Sequence, residues 1–282
     1  MVELRTVNVS SMGLDNDREY MVVREEAGAD GIRSLLTQRD KRHRLESKPQ
    51  SLAILALIHP EVTESSLRLT WKGGDGIVIP KGQNGREVRV RIHTNVVFAA
   101  DQGDAAAAWL SDHLGVRSRL VRATGAIHRM ASQRFLPNSN QIRFQDAFPI
   151  HWVTQESVDE LSMMAGQSIP WTRFRPNVVG EGGEPQVEHE IYEGGMGAVR
   201  FVQPKPCTRC PVTTVDQEAG EKRGNEPLTA LSKYKRWNAT RELLFGENAL
   251  PLSGGSMKVG DEILEYRARQ PPIVYGRETS HV

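Results

Sequence analysis

Punctuation constrains this chain more than any other sequence feature. Between Arg18 and Ala99 short apolar and β-branched stretches recur: REYMVV (18–23), SLAILALI (51–58), SLRLTW (66–71), GIVIP (76–80) and EVRVRIHTNVVFA (87–99), separated by Gly, Pro or Asn. β-branched and aromatic side chains suit a pleated, half-buried surface, and Gly, Pro and Asn supply the turns between such stretches. Segments this short, with no helix between them, bury their apolar faces by pairing with one another, so the spacing predicts antiparallel β structure. The pattern returns at RPNVVG (175–180), GAVRFVQP (197–204) and PCTRCPVTTVD (206–216).

Helical periodicity interrupts it in three places. DQGDAAAAWLSDHLG (101–115) offers Asp104 as a cap, four alanines, Trp109, Leu110 and Leu114 at helical spacing, and Gly115 as a stop. Thr154 is placed to cap a second helix carrying Val158, Leu161 and Met164 on one face before Gly166. A third is predicted over 225–237, with Pro227 in its first turn and Leu228, Leu231 and Tyr234 on a stripe. Without regular strand-helix alternation, the pattern favours an α+β or barrel-rich fold over a doubly wound sheet, with a division between 117 and 135. QPPIVYGRETSHV (270–282) reads as a tail.

With 282 residues the chain accommodates two lobes, and 36 Lys+Arg against 35 Asp+Glu leave a formal charge of +1. That balance gives no general field for nucleic acid or anionic lipid, so any anion site is local. No apolar run approaches the roughly 20 residues that span a bilayer, and no secretory signal follows Met1. The expectation is an intracellular, cytoplasmic protein with no nucleic-acid partner and no membrane span, or one associated with mitochondria if a further N-terminal segment exists. Two cysteines make no disulfide framework.

Those two cysteines lie three positions apart, at Cys207 and Cys210, with Arg209 between them. Structural zinc takes four protein ligands, and here only His189 upstream and His281 downstream flank a single pair. A redox dithiol belongs before a helix, whereas β-branched PVTTVD follows Cys210. Two half-buried residues of no special role, or a thiolate reserved for another metal, remain open on spacing alone.

CTRCPVTTVDQEAG (207–220) closely resembles the signature of the MOSC family, the molybdenum cofactor sulfurase C-terminal domain proteins. Other segments match that family in order. MGLDNDREYMVV (12–23) and LLTQR (35–39) resemble the N-terminal β-barrel domain that accompanies MOSC in the amidoxime-reducing components and their bacterial relatives, and GDAAAAWLSDHLGVRSRLVR (103–122) resembles that domain's helix. FQDAFPIHWVTQESVDEL (144–161) and RFRPNVV (173–179) match the middle of the family, and KVGDEI (258–263) matches its closing strand, so the resemblance spans residues 2 to 265.

The fold this implies is α+β and β-rich: an N-terminal β-barrel domain over 1–122 that lacks its first strand, a MOSC β-barrel domain over 123–268 and a tail over 269–282. The implied cofactor is molybdenum bound to molybdopterin, with Cys210 as metal ligand and catalytic thiolate. A thiolate is a soft donor suited to a metal already held by sulfurs, and Arg209 beside it would favour deprotonation of a group whose free pKa is about 8.5. Arg18 and Arg175 match arginines that grip the cofactor phosphate, for which a guanidinium fork is suited. Asn177 is implied as a cofactor contact, as are Arg209, Thr213, Asn248 and residues 146–148. Thr213, with Thr214 and Asp216, is expected to orient the loop by side-chain to main-chain bonds. Cys207 is expected to be a packing residue.

Two departures from the family pattern stand out. The chain starts at VELRTVNVSS, after the Pro-x-Lys-Ser type segment that holds the phosphate in relatives, and the acidic element before the motif reads EHEI (188–191), where His189 is expected at the surface. The implied activity is removal of oxygen from a small N-hydroxylated substrate, with electrons from a separate donor protein of ferredoxin or cytochrome b5 type. The alternatives are a sulfur carrier with a persulfide on Cys210, or a non-enzymatic cofactor-binding module. Pyridoxal phosphate is a family association only, through the desulfurase domain of the sulfurase, and no site for it is read here. The basic run in LLTQRDKRHRL (35–45) reads as solvated surface.

Overall fold

The computed structural model describes residues 3–38, 40, 52–82, 85–125, 127–131, 140–234 and 242–270. Its N-terminal half is built on a closed barrel of the strands Tyr20–Ala27, Arg33–Leu35, Glu87–Ile92, Asn95–Asp101 and Ser118–Ala123. Alternation makes this possible: Val88, Val90 and Ile92 point inward while Glu87, Arg89 and Arg91 face solvent. Closure leaves no open edge. Met21, Val23, Val97, Ala99, Val121 and Phe144 complete the interior.

Outside the barrel, helix α1 (Asp104–Leu114) packs Leu110 and Leu114 against Leu67, Leu69 and Ile79 of a three-stranded sheet formed by Ile58–Val62, Ser66–Trp71 and Gly76–Pro80. Three sequence expectations need correction here. SLAILALI is not a strand: Leu52–Leu57 form a 3-10 helix that buries Leu52, Ala53 and Ala56, a spacing near three rather than two, and a strand begins only at Ile58. EVRVRIHTNVVFA is two strands joined by a tight turn, since Ile92 pairs with Asn95 across His93 and Thr94. The N-cap of α1 is Gly103, while Asp104 is the first helical residue and its carboxylate accepts from Arg119 Nη2 at 2.8 Å.

The C-terminal half is a six-stranded sheet in the order Val178–Gly180, Ile150–Thr154, Leu244–Pro251, Val199–Thr208, Ile191–Met196 and Ile263–Ala268. Its pairings are antiparallel except that Ile150–Thr154 runs parallel to Val178–Gly180; in the barrel, Arg33–Leu35 and Glu87–Ile92 are likewise parallel. One face buries Ile150, Trp152 and Phe201 against Val9, Leu14 and Met257. Val9 and Leu14 come from the chain's own start, and Met257 from the strand Gly255–Lys258, with which Thr6–Ser10 pairs instead of joining the barrel. KVGDEI is the turn between that last strand and Ile263–Ala268.

The opposite face is covered by α2 (Gln155–Ala165) and α3 (Leu228–Tyr234). Thr154 caps α2 as its sequence predicts, accepting from Ser157 N, and Val158 and Leu161 pack with Phe174, Leu231 and Phe245. Met164, expected on this stripe, is 44% exposed beside the more exposed Met163. Helix α3 starts later than predicted, after Pro227, and is described to Tyr234; residues 235–237 lie outside the described residues. So do Arg39, most of the basic run (41–45) and tail residues 271–282.

Gly246 is the tightest point of the central strand. Its φ is +69°, and a Cβ there would lie 2.5 Å from the Trp152 carbonyl oxygen, 2.6 Å from Val153 Cγ1 and 2.7 Å from His151 Nε2. Gly246→Ala is therefore expected to lower the unfolding free energy by about 3 kcal/mol, the sum of a positive-φ penalty and overpacking, read by urea denaturation.

Candidate functional site

The cysteine segment leaves the sheet where strand Val199–Thr208 loses register with Leu244–Pro251, between Val202 and Lys205 and again between Pro206 and Thr208. Arg209 N then donates to Leu243 O at 2.8 Å. Cys210 is the N-cap of a short 3-10 turn, Pro211–Thr214, with proline at its first position. Both the backbone N and the hydroxyl of Thr213 donate to the Cys210 carbonyl, at 3.1 and 3.0 Å, and Thr214 Oγ1 donates to Pro211 O at 2.8 Å. Asp216 Oδ1 accepts from the backbone N of Glu218 and Ala219, each at 2.9 Å. These side chains fix the loop that presents Cys210; Thr213 is buried, with its hydroxyl directed to backbone.

The two thiols sit in different surroundings. Arg209 Nη1 donates to Cys207 Sγ at 2.9 Å and to His151 Nε2 at 3.2 Å, while Nη2 donates to Phe174 O at 2.7 Å and the guanidinium lies over the Phe174 ring. Burial pushes the Cys207 thiol pKa up against the opposing pull of Arg209. Burial, then the charge of Arg209, pushes the His151 pKa well below its ordinary value, so the ring is neutral and its Nε2 lone pair is free to accept. Arg209 is thus a bolt joining Cys207, His151 and the segment before Arg175.

Arg18 and Arg175 both hold left-handed backbone, with φ of 50° and 52°. For non-glycine residues this costs of order 1–3 kcal/mol and persists only where surrounding structure dictates it. Arg175 closes the 3-10 turn Trp171–Phe174, and the Arg18 carbonyl accepts from Phe144 N at 3.2 Å. The two side chains converge. Arg175 keeps solvent contact, yet the protein packed around it, followed by the charge of Arg18, pushes its pKa down to about 10, with Arg209 adding to the effect and Asp146 and Asp17 opposing it. Asp146 is 75% exposed at its side chain and bonds His93 across the gap from the barrel hairpin, Nε2 to Oδ1 at 3.3 Å. That bond, with Arg18 and Arg175, holds its carboxyl well below the usual range. Asp17 is pushed up by burial, against Arg18, Asn177, Arg175 and Arg143.

Asn177 and Asn248 act mainly as braces. Asn177 Oδ1 accepts from His151 N at 2.9 Å, its own N donates to His151 O at 2.6 Å, and its side chain bonds Asp17. Asn248 Nδ2 donates to the carbonyls of Lys205 and Pro206 at 3.3 and 3.1 Å, holding the strand that leads into the cysteines. Ala147 is half-buried, and Phe148 packs into a core with Ile142, Val202 and Leu250.

His189 corrects a sequence expectation: it is 1% exposed, not at the surface. Its Nδ1 lies 2.6 Å from Glu247 Oε1, and Arg269 Nη2 binds the other oxygen of Glu247 at 2.9 Å. Neighbouring Glu188 accepts from the hydroxyls of Thr154 and Ser157 at 3.0 and 2.9 Å. Sequence reading passed over Asp17, His93, Arg143, His151 and this network. The one available signal was Glu247 itself, a charge inside the apolar strand LFGENALP.

Among the described residues no group of three or more His, Cys, Asp or Glu side chains is placed to hold a metal ion. A group bearing its own metal ligands and an anionic tail does fit. The donors are cationic, a half-buried thiol stands on a braced loop, and Arg143 Nη1 and Arg209 Nε are buried N–H donors without a partner among the described residues. Acceptor oxygens of an anion would satisfy such donors.

Two family profiles match the chain: the MOSC N-terminal beta barrel domain over residues 1–117 and the MOSC domain over residues 139–264. Among curated proteins, it is 29% identical over 188 residues to the mitochondrial amidoxime-reducing component 1 of Mus musculus, covering 62% of this chain and 55% of the mouse protein. It thus spans little more than half of that relative's length. The corresponding protein of Xenopus laevis is 25% identical over 280 residues, 93% of this chain and 77% of its own. The molybdenum cofactor sulfurase of Drosophila pseudoobscura pseudoobscura is 29% identical over 243 residues, 82% of this chain and 27% of the sulfurase.

The neutral His151 makes stability depend on pH. Its folded pKa lies below that of the unfolded chain, about 6.5, so protonation favours unfolding. Its contribution is complete above that pH and is lost as pH falls from about 6.5, with a slope of up to about 1.4 kcal/mol per pH unit. Urea unfolding between pH 7.5 and 5 is expected to show this decline, and His151→Gln to flatten it.

Proposed function

Because the chain belongs to the MOSC family, joining the MOSC N-terminal β-barrel domain to a MOSC domain, we propose that it binds the molybdenum–pterin cofactor and reduces small N-hydroxylated substrates with electrons from a separate redox protein. The observation that carries this reading is the convergence of Arg18, Arg175 and Arg209 beside a braced loop bearing one half-buried thiol, Cys210. When bound, the cofactor supplies a metal centre able to pass two electrons into an N–O bond, the kind of chemistry a protein leaves to its cofactor.

The chain's own residues bind and orient. Cys210 offers the thiolate, a soft ligand at a point the Thr213 and Thr214 hydroxyls hold still. Arg18 and Arg175 grip the anionic tail, with Asp17 and Asp146 spacing them and limiting their mutual repulsion. Arg209 locks Cys207 and His151 behind the site, and Asn177, Asn248 and Thr213 keep the loop and its strand in register. Among the described residues no helix is long and apolar enough to cross a membrane. We place the reaction inside the cell, and the relatives' names make the mitochondrion the first compartment to examine.

The sulfurase relative supports a second reading, in which Cys210 carries a persulfide. One experiment separates the two. Protein made in a host that synthesises the cofactor is expected to carry close to stoichiometric molybdenum and reduce an N-hydroxyl compound with an artificial electron donor. Cys210→Ser should abolish reduction, and Cys207→Ser should cost about 1 kcal/mol of stability with activity retained. Elemental analysis without molybdenum, together with one extra sulfur on Cys210 by intact mass, would favour the carrier.

Arg175→Ala tests the anion grip separately. Loss of a charge-assisted bond of about 2 kcal/mol should leave the protein folded but lower molybdenum content after gel filtration. Full retention would make Arg175 merely structural.

A further inference from the structure

Reduction of an N-hydroxyl group consumes protons as well as electrons. In R–NHOH + 2e⁻ + 2H⁺ → R–NH₂ + H₂O the N–O bond breaks, the electron pair from the donor protein goes to nitrogen, one proton follows it there, and the other leaves on oxygen as water. The charged groups that meet at this site are unequal to that task. Arg175, even at a pKa of about 10, keeps its proton near neutrality. His151 is buried and neutral, with Nε2 accepting from Arg209. Cys207 is tied to the same guanidinium. Asp17, whose carboxyl burial pushes up against Arg18, Asn177, Arg175 and Arg143, is the rival, but its Oδ2 has no solvent contact through which to be recharged.

His93 is different. It sits at the tip of the barrel hairpin, in left-handed backbone with φ 52°, where asparagine or glycine would be relaxed. Its side chain is 44% exposed, so solvent can recharge it, and its Nε2–H donates to Asp146, which belongs to the other half of the molecule. Histidine's ordinary pKa lies where biological proton transfer happens. The groups facing the pair are Asp146 in direct contact, with Arg18, Arg175 and Arg129 around that carboxylate. We propose that His93, held by Asp146, delivers protons from solvent to the substrate side of this site. The proposal rests on N-hydroxyl reduction being the reaction.

Two measurements on the full chain test it. The first observes the His93 imidazole by NMR without cofactor: Asp146→Ala should shift its Nε2 resonance, because the acceptor of its hydrogen bond is gone. An unmoved resonance would overturn the pairing. The second compares kcat/KM against pH for the molybdenum-loaded protein with a reduced artificial one-electron donor. Wild type should lose activity at alkaline pH; His93→Gln should fall about 10²-fold and lose that alkaline limb, while Asp146→Ala should displace it. If His93→Gln keeps the wild-type limb, or if only Asp17→Asn removes it, the proposal is wrong although the reduction stands. If fully loaded wild type reduces no N-hydroxyl compound at any pH, the reaction and the proton-delivery role fall together, and the Nε2 resonance still decides whether the pair exists.

Discussion

A carboxylate without solvent contact lies in the middle of the strand on which the C-terminal half is hung. All eight residues of Leu244–Pro251 are buried, Glu247 among them. An uncompensated buried charge costs several kcal/mol, and here it is met by His189 on one oxygen and Arg269 on the other. That compensation ties the strand to the turn Val187–His189 and to the chain just beyond the edge strand Ile263–Ala268. The strand's two neighbours carry His151 on one side and the approach to Cys207 on the other. Arg209 can reach both only because this strand sets their separation.

The barrel half is equally part of the site. Arg18 stands just before the first barrel strand, and His93 is on a barrel hairpin. The loop after the cysteines docks on the same half: Gln38 and Gln217 exchange side-chain amide bonds at 3.0 Å, Lys72 Nζ donates to Glu218 O at 2.7 Å, and Val215 packs with Ala53 and Ala56. Cys210 is therefore presented from a segment held at both ends, by the sheet before it and by the barrel half after it. Backbone strain at Arg18, His93 and Arg175 is sustained by these surroundings.

Electrostatics at the site follow from the same assembly. Arginines gathered at one place repel each other, and Asp17 and Asp146 divide the space among them. The result is a local gathering of positive charge in a chain whose formal charge is only +1, which suits capture of one anionic group without attracting polyanions in general.

By itself the sequence determined what depends on neighbours along the chain. Alternating Val88, Val90 and Ile92 made a strand, Thr154 capped α2, the thiol-bearing loop was legible as a motif, and its resemblance led to the family. Expectations failed where two local patterns fit the same residues, as in SLAILALI, whose apolar run suits a 3-10 turn as well as a strand. Only the tertiary structure decided the partners. His93 and Asp146 are 53 residues apart, His151 and Arg209 58, and His189 and Glu247 58. A histidine's charge, a carboxylate's cost and an arginine's reach depend on what packs against them through space, and no spacing along the chain encodes that.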